Sequence, residues 1–208
     1  MKARRQRQPL VTQRRIIEAA TAEFAAKGLA GARVEEIARK AHVNKRMLYH
    51  YFGNKEALWV EVLERAYRHI RSAEQQLDLT KLSPVDGMRR LIEFTIAYDF
   101  AHPEFISLLQ GENLHRARYL RRSRNIRELH TSLLDDIGEL LKRGRRSGAF
   151  RKGVDAAELY IAIAALGFFY FSNIHTLSTI FGRDFSSAAA RQKHLAHATK
   201  IILGYLRP

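Results

Sequence analysis

Apolar residues recur at steps of three and four along most of this 208-residue chain, and no segment of useful length alternates apolar with polar residues. Ile16, Ala20 and Phe24, for example, lie four residues apart and would line one face of a helix. Only four prolines are present to interrupt such segments. The pattern predicts an all-α protein.

Capping and turn residues divide the chain into helices. In the first third, Thr12 and Asn44 are good N-caps, Gly28 is a stop signal, and Gly53-Asn54 is a break. The predicted helices there cover residues 12–27, 34–41, 45–52 and 55–77, after a basic flexible arm at residues 1–11. Later in the chain, helices are predicted at 84–101, 155–181 and 187–206. Between the first two of these, a shorter helix is predicted to start at residue 103 and a longer one to end near residue 144.

The chain is strongly basic, with a formal net charge of +15 and a pI near 10.5. The excess is concentrated at the N-terminal end, where residues 1–60 contain 13 Lys and Arg against 5 Glu, a net charge of +8. Such a segment favours a polyanionic partner. A soluble basic protein without a particular partner is the alternative that charge by itself leaves open.

Residues 34–52 have the proportions of a helix-turn-helix, with His42-Val43 as the turn between two short helices. In the second helix Leu48 and Phe52 fall on one side and are expected to be buried. The opposite arc carries the outward-facing side chains Arg46, Met47, Tyr49 and His50. An ordinary solvated helical hairpin is the alternative, but exposed cations and rings beside the charge excess favour DNA as the partner.

Each outward residue suits a particular DNA group. Lys45 and Arg46 lie in the first turn, where a cation can donate to guanine O6 and N7 in the major groove. Tyr49, one turn later, can pack on a thymine methyl group or reach a phosphate. Tyr51 and Lys55 flank the helix, where a hydroxyl, an ammonium group and the N-terminus of the next helix suit backbone phosphates.

Residues 12–58 resemble the N-terminal domain of TetR-family transcriptional repressors. The resemblance rests on the alanine-rich first helix ending in Phe24 and Gly28, on Val34-x-x-Ile37-Ala38, and on a longer motif, Val43-x-x-x-x-Leu48-Tyr49-x-Tyr51-Phe52-x-x-Lys55-Glu56-x-Leu58. It implies that the third helix reads bases. Carried onto this chain, the groove contacts are made by Lys45, Arg46 and Tyr49, with Tyr51 and Lys55 as phosphate clamps.

Three positions depart from the family pattern. Ala32 and Arg33 stand where Thr or Ser usually caps the second helix, and the charge of Arg33 can supply the phosphate contact instead. His42 stands where Gly is usual and is expected to adopt a left-handed backbone conformation. Arg46 and Met47 replace Gly and Thr, which implies a distinct operator sequence. The predicted DNA-binding set is Arg33, Lys45, Arg46, Met47, Tyr49, Tyr51 and Lys55.

The resemblance also implies an architecture, in which an N-terminal helix-turn-helix domain (residues 1–54) is joined through a long helix to a C-terminal ligand-binding and dimerisation domain (residues 55–208). The run Leu159–Phe171 supports this independently, because it is apolar around most of its circumference and must be covered from several sides. The final helix is a natural partner for it across a two-fold axis. We therefore expect a homodimer through the last two helices, with reading helices about 34–36 Å apart and a palindromic operator.

A small-molecule effector is the other partner that the resemblance implies. Candidate cavity residues combine apolar walls with a few polar groups, and plain core packing is the alternative for each of them. Asn173 is the strongest candidate, because a buried amide in an apolar run needs hydrogen-bond partners. The predicted ligand-binding set is Tyr98, Phe105, Leu109, Asn113, Phe169, Tyr170 and Asn173.

Other classes of function find little support in the sequence. No glycine-rich phosphate loop, cysteine or catalytic carboxylate pair indicates an enzyme. His194 and His197 have helical spacing for two metal ligands, but no cysteine or acidic cluster accompanies them, so neither a metal nor a cofactor is expected. The basic N-terminus is not followed by the apolar core of a secretory signal, and the apolar run 159–171 is short for a membrane span. Together with the absence of cysteine, this predicts a cytoplasmic protein without a membrane partner.

The sequence as a whole predicts a sequence-specific, DNA-binding transcriptional regulator, a repressor that an effector releases from a palindromic operator. The alternative is a basic protein that binds nucleic acid without sequence specificity.

Overall fold

The computed structural model describes residues 2–123 and 125–208, with side chains for residues 9–123, 125–126 and 132–208. Over these residues the fold is all-α, as predicted, and contains no strand. Its α-helices are α1 Lys2–Gly31, α2 Val34–Lys40, α3 Lys45–Phe52, α4 Lys55–Gln75, α5 Pro84–Ala101, α6 Pro103–Leu114, α7 Asn125–Arg146, α8 Ala156–Ser172, α9 Ile174–Phe181 and α10 Ala188–Leu206.

The chain forms two compact units. The first comprises the chain up to Arg68 together with Glu104–Arg127, and the second comprises His69–Pro103 together with Glu128–Pro208. The first unit therefore contains most of α4 and α6 from Glu104 onward, in addition to α1–α3. The boundary after residue 54 separates predicted functions rather than compact units, and it stays a prediction.

The core of the first unit surrounds one face of α1. Ile16, Ala20 and Phe24 are buried along this face, as their spacing predicts. The ring of Trp59, on α4, meets Phe24 edge to face with ring centroids 5.1 Å apart. Leu48 of α3 is buried in the same core, so the packing of α1 and α4 also fixes the position of α3.

The core of the second unit is built by α5, α7, α8 and α10. Ile96 of α5, Ile163 of α8 and Ile202 of α10 are all buried in it. Gly167 of α8 permits close approach to α5, because a Cβ atom there would lie 2.5 Å from Asp99 Oδ2. The apolar run predicted to be a buried helix is thus covered on one side by α5 and α10, whereas Ile161 and Phe169 on its other side are exposed, so the prediction of a fully buried helix does not hold within one chain.

The first helix starts earlier than predicted. It begins at Lys2 rather than at Thr12, so the predicted N-cap is wrong. Residues 2–8 consist of Lys, Arg, Ala and Gln, which have high helix propensity, and propensity extends the helix past the weak threonine signal. The predicted arm coincides with this part of α1, and its side chains before Pro9 lie outside the described residues. Gly28 breaks the helix as predicted, with a φ of 65°.

The predicted single helix at 155–181 is wrong, because it breaks at Asn173 into α8 and α9. Asn173 Nδ2 donates to the Phe169 carbonyl oxygen at 2.9 Å, and the Thr176 hydroxyl donates to the Asn173 carbonyl oxygen at 2.8 Å. Such local side-chain bonds compete with the helical ladder and favour a bend. Within the described residues no single helix is long and apolar enough to cross a membrane, and the α8–α9 pair is bent by 68°.

Candidate nucleic-acid interface

Helices α2 and α3 form the predicted helix-turn-helix. Asn44 caps α3, since its side chain accepts a hydrogen bond from the Met47 backbone N–H at 2.8 Å. His42 lies in the turn with a φ of 52°, which is the left-handed conformation expected at a position where the family usually has glycine. The Val43 N–H then donates to the Ala38 carbonyl oxygen at 3.0 Å and closes the C-terminus of α2.

We expect the substitution His42→Gly to stabilise the protein by about 0.5–1 kcal/mol. A left-handed conformation costs a residue with a Cβ atom roughly 1–2 kcal/mol, and the greater freedom of glycine in the unfolded chain offsets part of the gain. Urea denaturation followed by circular dichroism measures the change. The matched control is His50→Gly, since His50 lies within α3, where glycine should destabilise by about 1 kcal/mol. If both variants changed the free energy of unfolding in the same direction, backbone strain at His42 would be contradicted.

The two sides of α3 differ as predicted. Leu48 is buried and Phe52 packs against the first-unit core. Lys45, Arg46 and Tyr49 are exposed on the other side. The structure thus exposes the two cations of the first turn and one ring on the side away from the core.

Two predicted contact residues are more enclosed than expected. Tyr51 is half-buried and packs against the first-unit core, with its ring 5.3 Å from that of His50. Met47 is also half-buried. Lys55 lies at the start of α4, and its Nζ donates to the Ala30 carbonyl oxygen at 3.3 Å. Tyr51 and Lys55 are therefore anchored beside the exposed face of α3.

Lys45 already has an acidic partner. Its Nζ lies 2.5 Å from Glu35 Oε1 on α2 and 5.7 Å from the centre of the Tyr49 ring. The hydrogen bond with Glu35 raises the pKa of Lys45, and the same bond lowers the pKa of Glu35. Both side chains are about half exposed, so DNA phosphates or bases can compete for Lys45.

A second carboxylate supports the start of α2. Arg33 occupies the N-cap position, is exposed, and makes no side-chain cap, as its sequence position led us to expect. The fully buried Glu23 of α1 lies beside this helix end, where Oε1 accepts from the Arg33 backbone N–H at 3.5 Å. Hydrogen bonds from Lys27 and Lys40, both at 2.7 Å, lower the pKa of Glu23 to about 2. Glu23 therefore ties α1 to both ends of α2.

The predicted ligand-binding residues fall in both compact units. In the first unit Phe105 is buried and packs edge to face on Tyr67, Leu109 is half-buried, and Asn113 is exposed. Asn113 Nδ2 donates to the Leu109 carbonyl oxygen at 3.0 Å. The Asn113 side chain thus bonds within its own helix, and its part in ligand binding stays a prediction.

In the second unit, Tyr98 is buried and its hydroxyl forms a 2.7 Å hydrogen bond with His69 Nδ1. Tyr170 is buried as well, whereas Phe169 is 61% exposed and Asn173 is half-buried at the α8–α9 break. Asn173 was expected to be a buried amide that awaits a ligand, but its Nδ2 already has local acceptors. In this unit Tyr98 and Tyr170 are thus buried, Phe169 is exposed and Asn173 bonds within its own helix, and their part in ligand binding stays a prediction.

Known families match both parts of the chain. Residues 16–62, which include α2, α3 and the start of α4, match the family described as bacterial regulatory proteins, tetR family. Residues 84–202 match the family described as tetracyclin repressor-like, C-terminal domain. The chain belongs to the TetR family. Its helix-turn-helix is accordingly that of a bacterial transcriptional regulator.

Individual TetR-type relatives agree with this assignment. The HTH-type transcriptional repressor NicS of Pseudomonas putida is 36% identical over 196 residues, which cover 94% of this chain and 92% of NicS. The HTH-type transcriptional repressor SCO4008 of Streptomyces coelicolor is 42% identical over 110 residues, which cover 52% of this chain and 53% of SCO4008.

Solved structures share the TetR-family fold. A tetR-family regulatory protein from Rhodococcus RHA1 superposes with a TM-score of 0.73 at 17% identity, over 94% of this chain and 97% of that one. At this identity the likeness bears on the fold alone. The transcriptional regulator SCO4942 from Streptomyces coelicolor gives a TM-score of 0.68 at 25% identity, over 92% and 97%. This TetR-family chain is thus a DNA-binding transcriptional regulator of the repressor type. The description of the C-terminal family and the names of both relatives contain the word repressor.

Two carboxylates at the helix-turn-helix, Glu35 on α2 and Glu23 on α1, were not predicted from the sequence. The first had a signal, since Glu35 and Glu36 place two acidic residues in the first turn of α2 beside the cations of α3. Glu23 had a weaker one, because it precedes Phe24 on an otherwise apolar stretch of α1. Lys40 and Lys45 could not be chosen as partners from the sequence, because these two ion pairs join different helices. Lys27, which lies four residues after Glu23 on α1, is a partner that the helical repeat does indicate.

Proposed function

We propose that this protein represses transcription by binding a palindromic operator through α3 and that a small-molecule effector releases it. The main support for this proposal is the exposed face of α3, which presents Lys45, Arg46 and Tyr49. The Asn44 cap and the buried Leu48 hold this helix in place. A cation in the first turn suits guanine, and a ring one turn later suits thymine. The exposed Arg33 adds a cation beside the same helix pair.

We expect Lys45→Ala to weaken binding to the chain's own upstream DNA about tenfold or more, and to weaken binding to random DNA about twofold. Loss of a base contact costs roughly 1–3 kcal/mol, whereas one phosphate contact less affects all sequences alike. Tyr49→Phe should lower the ratio of specific to random affinity as well, because it removes the hydroxyl group proposed to contact DNA. Fluorescence anisotropy over a range of salt concentrations measures both affinities.

The matched control is Lys152→Ala, which removes the same charge from an exposed position between α7 and α8. This variant should keep the wild-type ratio of specific to random affinity. If the wild-type protein bound upstream and random DNA with equal affinity, the proposal that α3 recognises an operator sequence would be contradicted. That result would support the alternative, a basic protein without sequence specificity. Competition of upstream against random DNA in a gel-shift experiment distinguishes the two.

The second partner in the proposal is another copy of this chain. Six of the ten exposed large hydrophobic side chains among the described residues lie on the last three helices: Ile161, Phe169, Ile180, Phe181, Ile201 and Tyr205. On α8 the exposed positions Ile161, Ala165 and Phe169 follow one another at steps of four. An exposed apolar stripe of this kind favours a covering surface, and a two-fold copy offers the same stripe in return.

We expect Phe169→Glu to convert a dimer into a monomer, because each copy would bury an unpaired carboxylate at the contact. Size-exclusion chromatography with light scattering gives the mass. Leu114→Glu is the control, since Leu114 is 84% exposed on α6 of the first unit and lies outside the stripe. A monomeric wild-type protein, or a dimeric Phe169→Glu variant, would contradict the proposed interface.

Effector release is supported by the match of residues 84–202 to the tetracyclin repressor-like C-terminal domain. A small molecule that binds the DNA-free state more tightly shifts the equilibrium away from the operator complex. The proposal places the effector in the second unit and the protein in the cytoplasm with its operator.

A further inference from the structure

The second unit contains a cavity of about 510 Å³ between the end of α8, the loop that joins α9 to α10, and the first half of α10. Its lining residues are Tyr170, Arg183, Asp184, Phe185, Ala190, Lys193, His194 and His197. The volume falls within the range of about 300–1,000 Å³ that is usual for small-molecule sites. Of the predicted ligand-binding set, Tyr170 lines this cavity, and the proposed function places the effector in the same unit without naming its site.

Two stacked rings form one wall of the cavity. Tyr170 and His194 lie face to face, with ring centroids 3.9 Å apart and an angle of 17° between the planes. Phe185 meets Tyr170 edge to face at 5.8 Å. The Tyr170 hydroxyl donates to the Phe185 carbonyl oxygen at 3.0 Å, and His194 Nε2–H donates to the Leu166 carbonyl oxygen at 2.9 Å. These bonds fix the rings before any ligand arrives, and burial lowers the pKa of His194, which keeps that ring neutral.

The charge around the wall is positive. Arg183 and Lys193 line the cavity, and neither forms an ion pair with a described residue. Asp184 lines it too, but its Oδ1 accepts from the Ser186 backbone N–H at 2.8 Å and from the Ser186 hydroxyl at 2.5 Å. These bonds lower the pKa of Asp184 and hold its carboxylate within the loop.

A further cation lies behind the rings. The Arg191 guanidinium lies over the Phe100 ring, 5.1 Å from its centre, and Phe100 in turn contacts Tyr170 edge to face at 5.9 Å. The buried Nε of Arg191 has no hydrogen-bond partner among the described residues. The cavity thus joins a stacked aromatic pair to more positive than negative charge, a combination that suits a planar anion and opposes a cation.

We propose that this cavity binds a small aromatic carboxylate, with the ligand ring against the Tyr170–His194 wall and the ligand carboxylate on Arg183 and Lys193. A metal ion is a poorer occupant, because the described residues contain no group of three potential metal ligands around His194 and His197. The inference rests on the proposed function only for the ligand's role as an effector, since binding itself requires no DNA.

Isothermal titration calorimetry of the full chain with benzoate tests the site. Benzamide and benzylamine are the matched probes, because each keeps the ring and replaces the anion with a neutral or a cationic group. We expect saturable binding of one benzoate per chain, and at least about tenfold weaker binding of the other two, since a charge-assisted hydrogen bond contributes roughly 1.5–3 kcal/mol.

Arg183→Gln and Lys193→Gln should each weaken benzoate binding about tenfold, and Lys200→Gln, an exposed position on α10 outside the cavity, should leave it unchanged. All three residues are exposed, so circular dichroism should show unaltered folding. Absence of saturable benzoate binding, equal binding of benzamide, or equal affinity of both cavity variants and wild type would overturn the site. If benzoate binds as expected but leaves the DNA complex intact, the site stands and its effector role fails.

Discussion

Replacing Glu112 with alanine is expected to destabilise the first compact unit by about 3–5 kcal/mol. Glu112 is buried on α6, and its carboxylate accepts three hydrogen bonds. Oε2 accepts from Trp59 Nε1–H at 2.8 Å, while Oε1 accepts from the backbone N–H groups of Tyr119 and Leu120 at 2.9 and 2.8 Å. Each buried donor left without an acceptor costs about 1–3 kcal/mol, so the alanine variant loses more than one contact at once.

Urea denaturation followed by the fluorescence of Trp59, the chain's only tryptophan, measures this loss at the residue concerned. Glu112→Gln preserves the shape but turns one acceptor into a donor, and it should cost about half as much. Asn113→Ala is the neighbouring control, because Asn113 is exposed and its Nδ2 bonds only within α6. A loss below about 1 kcal/mol in Glu112→Ala would show that water satisfies the three donors equally well.

Asp99→Asn is expected to stabilise the protein at pH 8, by more than it does at pH 5. Burial on α5 raises the pKa of Asp99 to about 7, from 3.8. Between these values the folded state holds a proton that the unfolded chain releases, so wild-type stability falls as pH rises toward 7 and levels off above it. Asparagine does not titrate, and the variant avoids that loss.

The advantage of Asp99→Asn over wild type should therefore grow by about 2–3 kcal/mol from pH 5 to pH 8, on the basis of 1.36 kcal/mol per pKa unit. Chemical denaturation at several pH values provides the comparison. Asp135→Asn, at an exposed position on α7, is the control and should show no such growth. A constant difference between Asp99→Asn and wild type across this pH range would mean that Asp99 is ionised in the folded state.

Helices with strong capping residues could be predicted from the sequence to the residue. Helix α3 covers 45–52 as predicted, because Asn44 starts it and Gly53 ends it. Helix α5 covers 84–101 as predicted, because Ser83 accepts from the Asp86 N–H and Pro84 occupies the first turn. The break at Asn173 was missed, since an apolar pattern on both sides favours a continuous helix and only the local bonds of Asn173 oppose it.

The candidate sites divide in the same way. Which side of α3 is exposed follows from the helical repeat, so Lys45, Arg46 and Tyr49 could be selected from sequence. Ligand residues could not be selected equally well, because a cavity joins helices that are distant along the chain. Tyr170 belongs to the predicted ligand-binding set and lines the α8–α10 cavity, although its part in ligand binding stays a prediction. Arg183 and Lys193 look like ordinary surface cations until the fold places them beside that cavity.

If Lys45 contacts DNA as proposed, its ion pair with Glu35 has a consequence for the search for an operator. A lysine already neutralised by its own protein displaces fewer counterions from random DNA, and each displaced phosphate counterion contributes about 0.9 to the slope of log affinity against log salt. Residence on random sequence is shortened accordingly, while a base that competes with Glu35 regains the contact. Glu35 would thereby lower the affinity for random DNA and shorten the time that the protein spends on each non-operator site.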